Sequence, residues 1–193
     1  MRRSWMLAAP FLVIAALLPA QPASGRQKWF DKAVKKIEAS FDPAEAKPGQ
    51  TVTFKLTIDL NEGYHTYPTV QPEKAAENFV NTIKYPSAGS VIFVGTTTDP
   101  KKFEEKAEPA LQIEKLRYMS GSVVFTRRAV VSPKAAPGPI EVKLDEFRIQ
   151  VCDKNVCYPS KKVDVMSAKL KVLDGPAVPV DKEYADEVMK AMK

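Results

Sequence analysis

Residues 51–60 alternate strictly, with Val52, Phe54, Leu56, Ile58 and Leu60 apolar and Thr51, Thr53, Lys55, Thr57 and Asp59 polar. A period of two places one set on one face of an extended chain, so this segment is predicted to be a strand with one buried face. Ile37, Ala39 and Phe41 alternate in the same way just upstream, and residues 42–49, with Pro43, Pro48 and Gly49, supply a turn-rich connection. The two strands could lie in facing sheets or pair directly. Further short, β-branched segments bounded by Gly, Pro or Asn fall at 82–85, 90–94, 122–131, 140–144, 147–152, 162–165 and 169–173. Several short strands at this spacing, with little helical periodicity among them, predict an all-β sandwich. Residues 68–79 and 96–119 resist assignment and are expected to be long loops. Residues 174–180 read as a linker. Residues 181–193 read as a short C-terminal helix with Asp181 as its cap and Tyr184, Val188 and Met192 on one side.

The chain opens with Arg2 and Arg3, an apolar run from residue 5 to 18 interrupted by Pro10, and then small and polar residues. This is the pattern of a cleaved signal peptide over residues 1–25, because a spanning helix needs about 20 apolar residues and the polar stretch at 21–27 arrives too early. The expected mature chain is one β-domain over 26–173 followed by the linker and helix of 174–193, exported or periplasmic, monomeric, and without stable membrane insertion. Without Arg2 and Arg3 it carries 27 basic and 23 acidic residues, a net charge of +4. The basic doublets at 35–36, 101–102, 127–128 and 161–162 are scattered among acids, which argues against a nucleic-acid site.

Chemistry concentrates at the two cysteines of the chain, Cys152 and Cys157, which enclose Asp153-Lys154-Asn155-Val156 and are followed by Tyr158-Pro159. Outside the cytosol a bridge between them is expected to form and persist. The turn-forming centre lets a strand ending at Cys152 fold back through Cys157. Closing so short a loop stabilises a fold by only about 2 kcal/mol on the chain-entropy formula. A short exposed loop favours reactivity instead, with Lys154 and Lys161 promoting a thiolate and Asp153 opposing it. From spacing alone the pair serves either redox chemistry or a structural staple.

The segment from Phe147 through Cys152 and Cys157 to Pro159 resembles the N-terminal periplasmic domain family of the thiol:disulfide interchange protein DsbD. In that family a strand ends at the first cysteine and proline closely follows the second. Gly63-Tyr64-His65-Thr66-Tyr67 is similar to the family's glycine-aromatic-x-x-aromatic segment, and the strand at 51–60 and Tyr118-Met119-Ser120-Gly121 fall in the same order. The similarity spans about residues 35–172. It implies an immunoglobulin-like fold and thiol-disulfide exchange through Cys152 and Cys157. A membrane electron donor would supply reducing equivalents, and thioredoxin-like periplasmic proteins would receive them. The site would be shaped by Tyr64, Tyr67, Tyr158 and Pro159 and shielded by a cap loop within 96–119 with Phe103 at its tip. No cofactor is expected, and the donor is expected to be a separate protein.

Other chemistries have less support. His65, the single histidine, could complete a soft-metal site with the two thiolates. A hydrolytic triad would have to form around that same histidine, and no Gly-x-Ser-x-Gly elbow, phosphate loop or paired-cysteine zinc motif is present. The rival to exchange is a non-catalytic exported binding module in which the bridge pins a hairpin.

Overall fold

The alternation at 51–60 becomes strand β3 (Thr51–Leu60), in which every second side chain is buried. Strand β1 (Val34–Asp42) pairs with it directly and antiparallel, setting Phe41 opposite Phe54 and Ile37 opposite Ile58. This resolves the two arrangements left open by the sequence. The structure is a computed structural model that describes residues 28–164 and 166–193. The expected signal peptide over 1–25 lies outside the described residues, as does Val165 at the end of the strand expected over 162–165.

With β2 (Glu45–Ala46), β4 (His65–Thr66), β5 (Thr82–Lys84), β6 (Val91–Thr98), β7 (Glu104–Glu108), β8 (Ile113–Ser120) and β9 (Ser122–Val131), the first layer is the antiparallel sheet β1-β3-β9-β6. The second layer is built on one long run, broken into β10 (Gly138–Lys143), β11 (Glu146–Ile149) and β12 (Val151–Cys152). Strand β10 pairs with β14 (Ser167–Val172), β11 lies between β5 and β13 (Lys161–Lys162), and β12 pairs with β4. Phe54, Leu56, Ile58, Phe93 and Phe125 of the first layer meet Phe147, Ile149, Ala168, Leu170 and Val172 of the second in one core.

The first layer thus runs β1, β3, β9, β6 across the sheet, and β2 joins the second layer alongside β14, in parallel. That is the strand order of an immunoglobulin-like sandwich. The fold class expected from the sequence is the one observed, including a short helix near the C-terminus, α2 (Ala185–Ala191). A second short helix, α1 (Lys28–Ala33), precedes β1.

Two expectations are corrected. Residues 96–119 are not one long loop: they hold the end of β6 and the β7-β8 hairpin, joined by a 3₁₀ turn (Pro109–Leu111) and Gln112 in the left-handed region at φ 56°. Strand β8 then turns into β9 at Gly121, where φ is +71°, a conformation that favours glycine. This carries the chain from the second layer to the first. Asp181 does not cap α2, because a 3₁₀ turn (Lys182–Tyr184) intervenes and its carboxylate accepts a hydrogen bond of 2.6 Å from the Thr51 hydroxyl. The expected apolar face is used nonetheless. Val188 packs with Tyr184 and Met192 on Ile92, Val94 and Val130, the outer face of the first sheet.

Candidate functional site

Cys152 ends β12 and Cys157 opposes it across a tight hairpin, with the two Cα atoms 4.0 Å apart and the sulfurs joined in a disulfide. The hairpin explains the spacing. The Tyr158 N–H donates to the Val151 carbonyl at 3.0 Å, and the Asp153 N–H donates to the Val156 carbonyl at 2.9 Å. The cysteines are therefore the non-hydrogen-bonded pair between these links, where opposed side chains come closest. Asp153 closes the turn, its carboxylate accepting from the N–H groups of Asn155 at 2.7 Å and Val156 at 2.8 Å and from the Tyr158 hydroxyl at 2.8 Å. The backbone N–H of Asn155, then the Tyr158 hydroxyl and the N–H of Val156, hold the Asp153 carboxyl below its usual range. The same hydrogen bond, with burial second, pushes the Tyr158 phenol up to about 12.

The two sulfurs differ in access. Cys152 is 0% exposed, whereas Cys157 lies at the surface. Beneath them Tyr67, also fully buried, brings its hydroxyl to 2.9 Å from Cys152 Sγ and 3.4 Å from Cys157 Sγ. A disulfide sulfur carries no hydrogen, so the phenol is the donor. Burial raises its pKa well above that of a free tyrosine, so it remains a phenol. His65 sits opposite Cys152 on β4, and its Nε2 is 3.5 Å from the Tyr67 oxygen. Burial, and next the positive charge of Lys106, lower the pKa of His65, which leaves the ring neutral near neutral pH.

Above Cys157 opens a cavity of about 330 Å³, lined by Tyr67, Phe79, Leu111, Leu116, Val156 and Cys157, with Lys106, Glu108 and Lys154 among the polar groups at its walls. Leu111, 52% exposed, stands at the tip of the β7-β8 hairpin.

Of the residues singled out from the sequence, Tyr67 touches both sulfurs. Tyr158 ties the turn, and its ring stacks on Trp29 with centroids 4.7 Å apart. Tyr64 packs beside Tyr158, centroids 6.4 Å apart, and Pro159 is exposed just after the turn. Phe103 is placed elsewhere. It lies under the Arg117 guanidinium, 4.4 Å from the ring centre, and lines a separate depression with Pro100 and Met119, so Leu111 and not Phe103 lines the cavity at Cys157. His65 faces the Tyr67 hydroxyl, and among the described residues no group of three His, Cys, Asp or Glu side chains is arranged to hold a metal ion.

Three contributors carry little sequence signal. Asn81, 2% exposed, donates to the Tyr67 carbonyl at 2.7 Å and accepts from the Gln150 N–H at 2.9 Å, pinning the segment just after β4 that carries Tyr67 to the one that leads into Cys152. Trp29, beside Phe30, and Leu111, between Ala110 and Gln112, fall in short segments with no strand alternation or motif to single them out. Asp153 had a signal, since an aspartate two residues before an asparagine in a tight loop suits a side-chain-closed turn.

No family model and no curated protein matches the chain. Among solved structures it is similar to the major pilin subunit BcpA of Bacillus cereus, at 10% identity and a TM-score of 0.36 over 70% of this chain, and it spans 40% of the pilin's length. A chain of a type I cohesin–dockerin complex from Clostridium thermocellum is similar at 13% identity and a TM-score of 0.29, covering 72% of this chain and 99% of that one. No helix among the described residues is long and apolar enough to cross a membrane. The disulfide is a bond that persists in oxidising compartments, which accords with an exported chain.

Proposed function

We propose that the protein is a periplasmic thiol-disulfide exchange module working through Cys152 and Cys157. The observation that carries the reading is the asymmetry of the pair: one sulfur at the surface beside an open cavity, its partner sealed behind it and hydrogen-bonded to a buried phenol. A buried staple has no need of an exposed member, whereas exchange requires one sulfur that another protein's thiol can reach.

In the reduced protein the Cys157 thiolate attacks a partner disulfide. A mixed disulfide forms, and one partner sulfur leaves as thiolate. Cys152 then attacks Cys157 Sγ and expels the second partner thiolate. The pair loses two electrons and the partner disulfide gains them. Reduction by a membrane donor runs the same steps in reverse, with the incoming thiolate meeting Cys157 first. The resemblance in the sequence supports thioredoxin-like proteins as acceptors, and the chemistry calls for no cofactor.

The test is twofold. Equilibrated against dithiol buffers, the pair is expected to have a potential above about −300 mV, and a structural bridge would lie below that value. A Cys152→Ser variant is expected to trap a thioredoxin-like protein through Cys157. A potential below that limit, together with no trapped partner, would leave only the binding-module reading.

A further inference from the structure

Exchange stalls at the mixed disulfide unless Cys152, sealed from water, loses its proton. A thiol in apolar surroundings holds its proton more tightly than one in solution. The structure offers a route for that proton. Cys152 Sγ is 2.9 Å from the Tyr67 oxygen, and that oxygen is 3.5 Å from His65 Nε2. All three residues are buried, and His65 and Cys152 are direct cross-strand partners.

We infer that His65 and Tyr67 form a proton relay that deprotonates Cys152 in the resolving step. This rests on the exchange reading above and assigns a chemical role to a histidine that reading does not use. With Cys157 bonded to the partner, Cys152 carries S–H and becomes the donor to Tyr67, freeing the phenol O–H to turn to His65 Nε2. The Cys152 proton passes to the Tyr67 oxygen as the phenol proton passes to Nε2. The Cys152 thiolate attacks Cys157 Sγ, the new S–S bond forms, and the bond to the partner breaks. The partner sulfur leaves as thiolate, and the imidazolium returns its proton to solvent. Tyr67 ends as it began. It touches the reacting sulfur and is the catalytic residue; His65 acts through it and is a positioning residue that also takes up the proton.

The surroundings of His65 suit this duty. Lys106 disfavours its protonation, while Asp153, Glu104 and Glu108 favour it more weakly. The Tyr118 ring covers it, centroids 4.9 Å apart. The neutral ring this produces near neutral pH is the form able to accept.

The experiment follows reduced protein with an aromatic disulfide whose released thiolate is coloured. The first equivalent reports attack by Cys157 and the second reports Cys152 resolving the mixed disulfide. The second phase of the wild type is expected to level off above the ionisation of His65 and stay flat to about pH 8, whereas direct thiolate attack would climb about tenfold per pH unit across that range. Tyr67→Phe and His65→Ala are expected to slow the second phase about a hundredfold near neutral pH and restore the climb, so that the second phase falls relative to the first. His65→Gln can fill the space and hydrogen-bond but cannot take up a proton, so it too should lose the plateau. A wild-type second phase that climbs through neutral pH, or a His65→Gln variant that keeps the plateau, overturns the relay while leaving exchange intact. Absence of either phase in the wild type overturns the exchange reading itself.

Discussion

Asp153 is the residue on which the shape of the exposed hairpin depends. Its carboxylate holds two backbone N–H groups and the Tyr158 hydroxyl, and the stack of Tyr158 on Trp29 anchors the turn to the segment before β1. The folded carboxyl is held below its unfolded value of about 3.9. Its contribution is therefore complete above that value and is lost as pH falls through the folded one. Phosphine reduction needs no thiolate on the reductant and can be followed in acid. The wild-type reduction rate is expected to rise below about pH 4 toward that of Asp153→Ala, and the variant's own rate should show no such step. The sequence exposed the turn chemistry of this residue but not its link to Trp29, which lies more than a hundred positions away. Asn81 was equally hidden. Nothing local marks an asparagine that bonds one strand through its amide nitrogen and another through its oxygen.

The elements that position the site divide between legible and illegible patterns. Strand β3 buries every second residue, and β14 likewise buries Ala168, Leu170 and Val172, so a period of two found both. Strand β8 buries Ile113, Leu116 and Met119, a spacing of three, because its two sides face different neighbours along its length. That irregularity concealed the β7-β8 hairpin and displaced the expected cap to Phe103. In the structure the hairpin tip brings Leu111, not Phe103, over the cavity at Cys157. Leu111→Ala is expected to raise the rate at which a small thiol attacks the disulfide several-fold, since the change widens access to Cys157, while Phe103→Ala should leave it unchanged. Rates measured with a monothiol under pseudo-first-order conditions decide between the two tips. Equal acceleration by both variants, or by neither, would remove Leu111 from the role.

Across the whole molecule, the C-terminal segment is part of the folded unit. Val188 is 2% exposed against Ile92, Val94 and Val130; Glu187 accepts from the Gly95 N–H at 3.0 Å, and the Val178 N–H donates to the Pro48 carbonyl at 2.8 Å. A Cβ on Gly49 would stand 2.0 Å from the Val178 carbonyl oxygen, so a glycine is needed where this segment crosses. Burying a valine contributes about 1.5–3 kcal/mol. Val188→Asp loses this and forces a charge against apolar surface, so denaturant titration should show a loss of at least about 2 kcal/mol, with no change in the potential of the distant cysteine pair. The docking also explains why β6 reads as the unbroken apolar run Val91-Ile92-Phe93-Val94: one face looks into the core and the other lies under α2.

The sequence by itself determined the features that short-range periodicity and composition control. These are the alternating strands, the all-β class, the apolar face of the terminal helix, and a cysteine pair close enough along the chain to close a hairpin. Only the tertiary structure decided which cysteine meets solvent, that a tyrosine 85 positions before Cys152 brings its hydroxyl to both sulfurs, and that Leu111 overlooks the site. The physical reason is range. Alternation and turn preference are properties of neighbouring residues, whereas access to a sulfur and the partners of a buried polar group depend on strands that meet only once the two layers have packed.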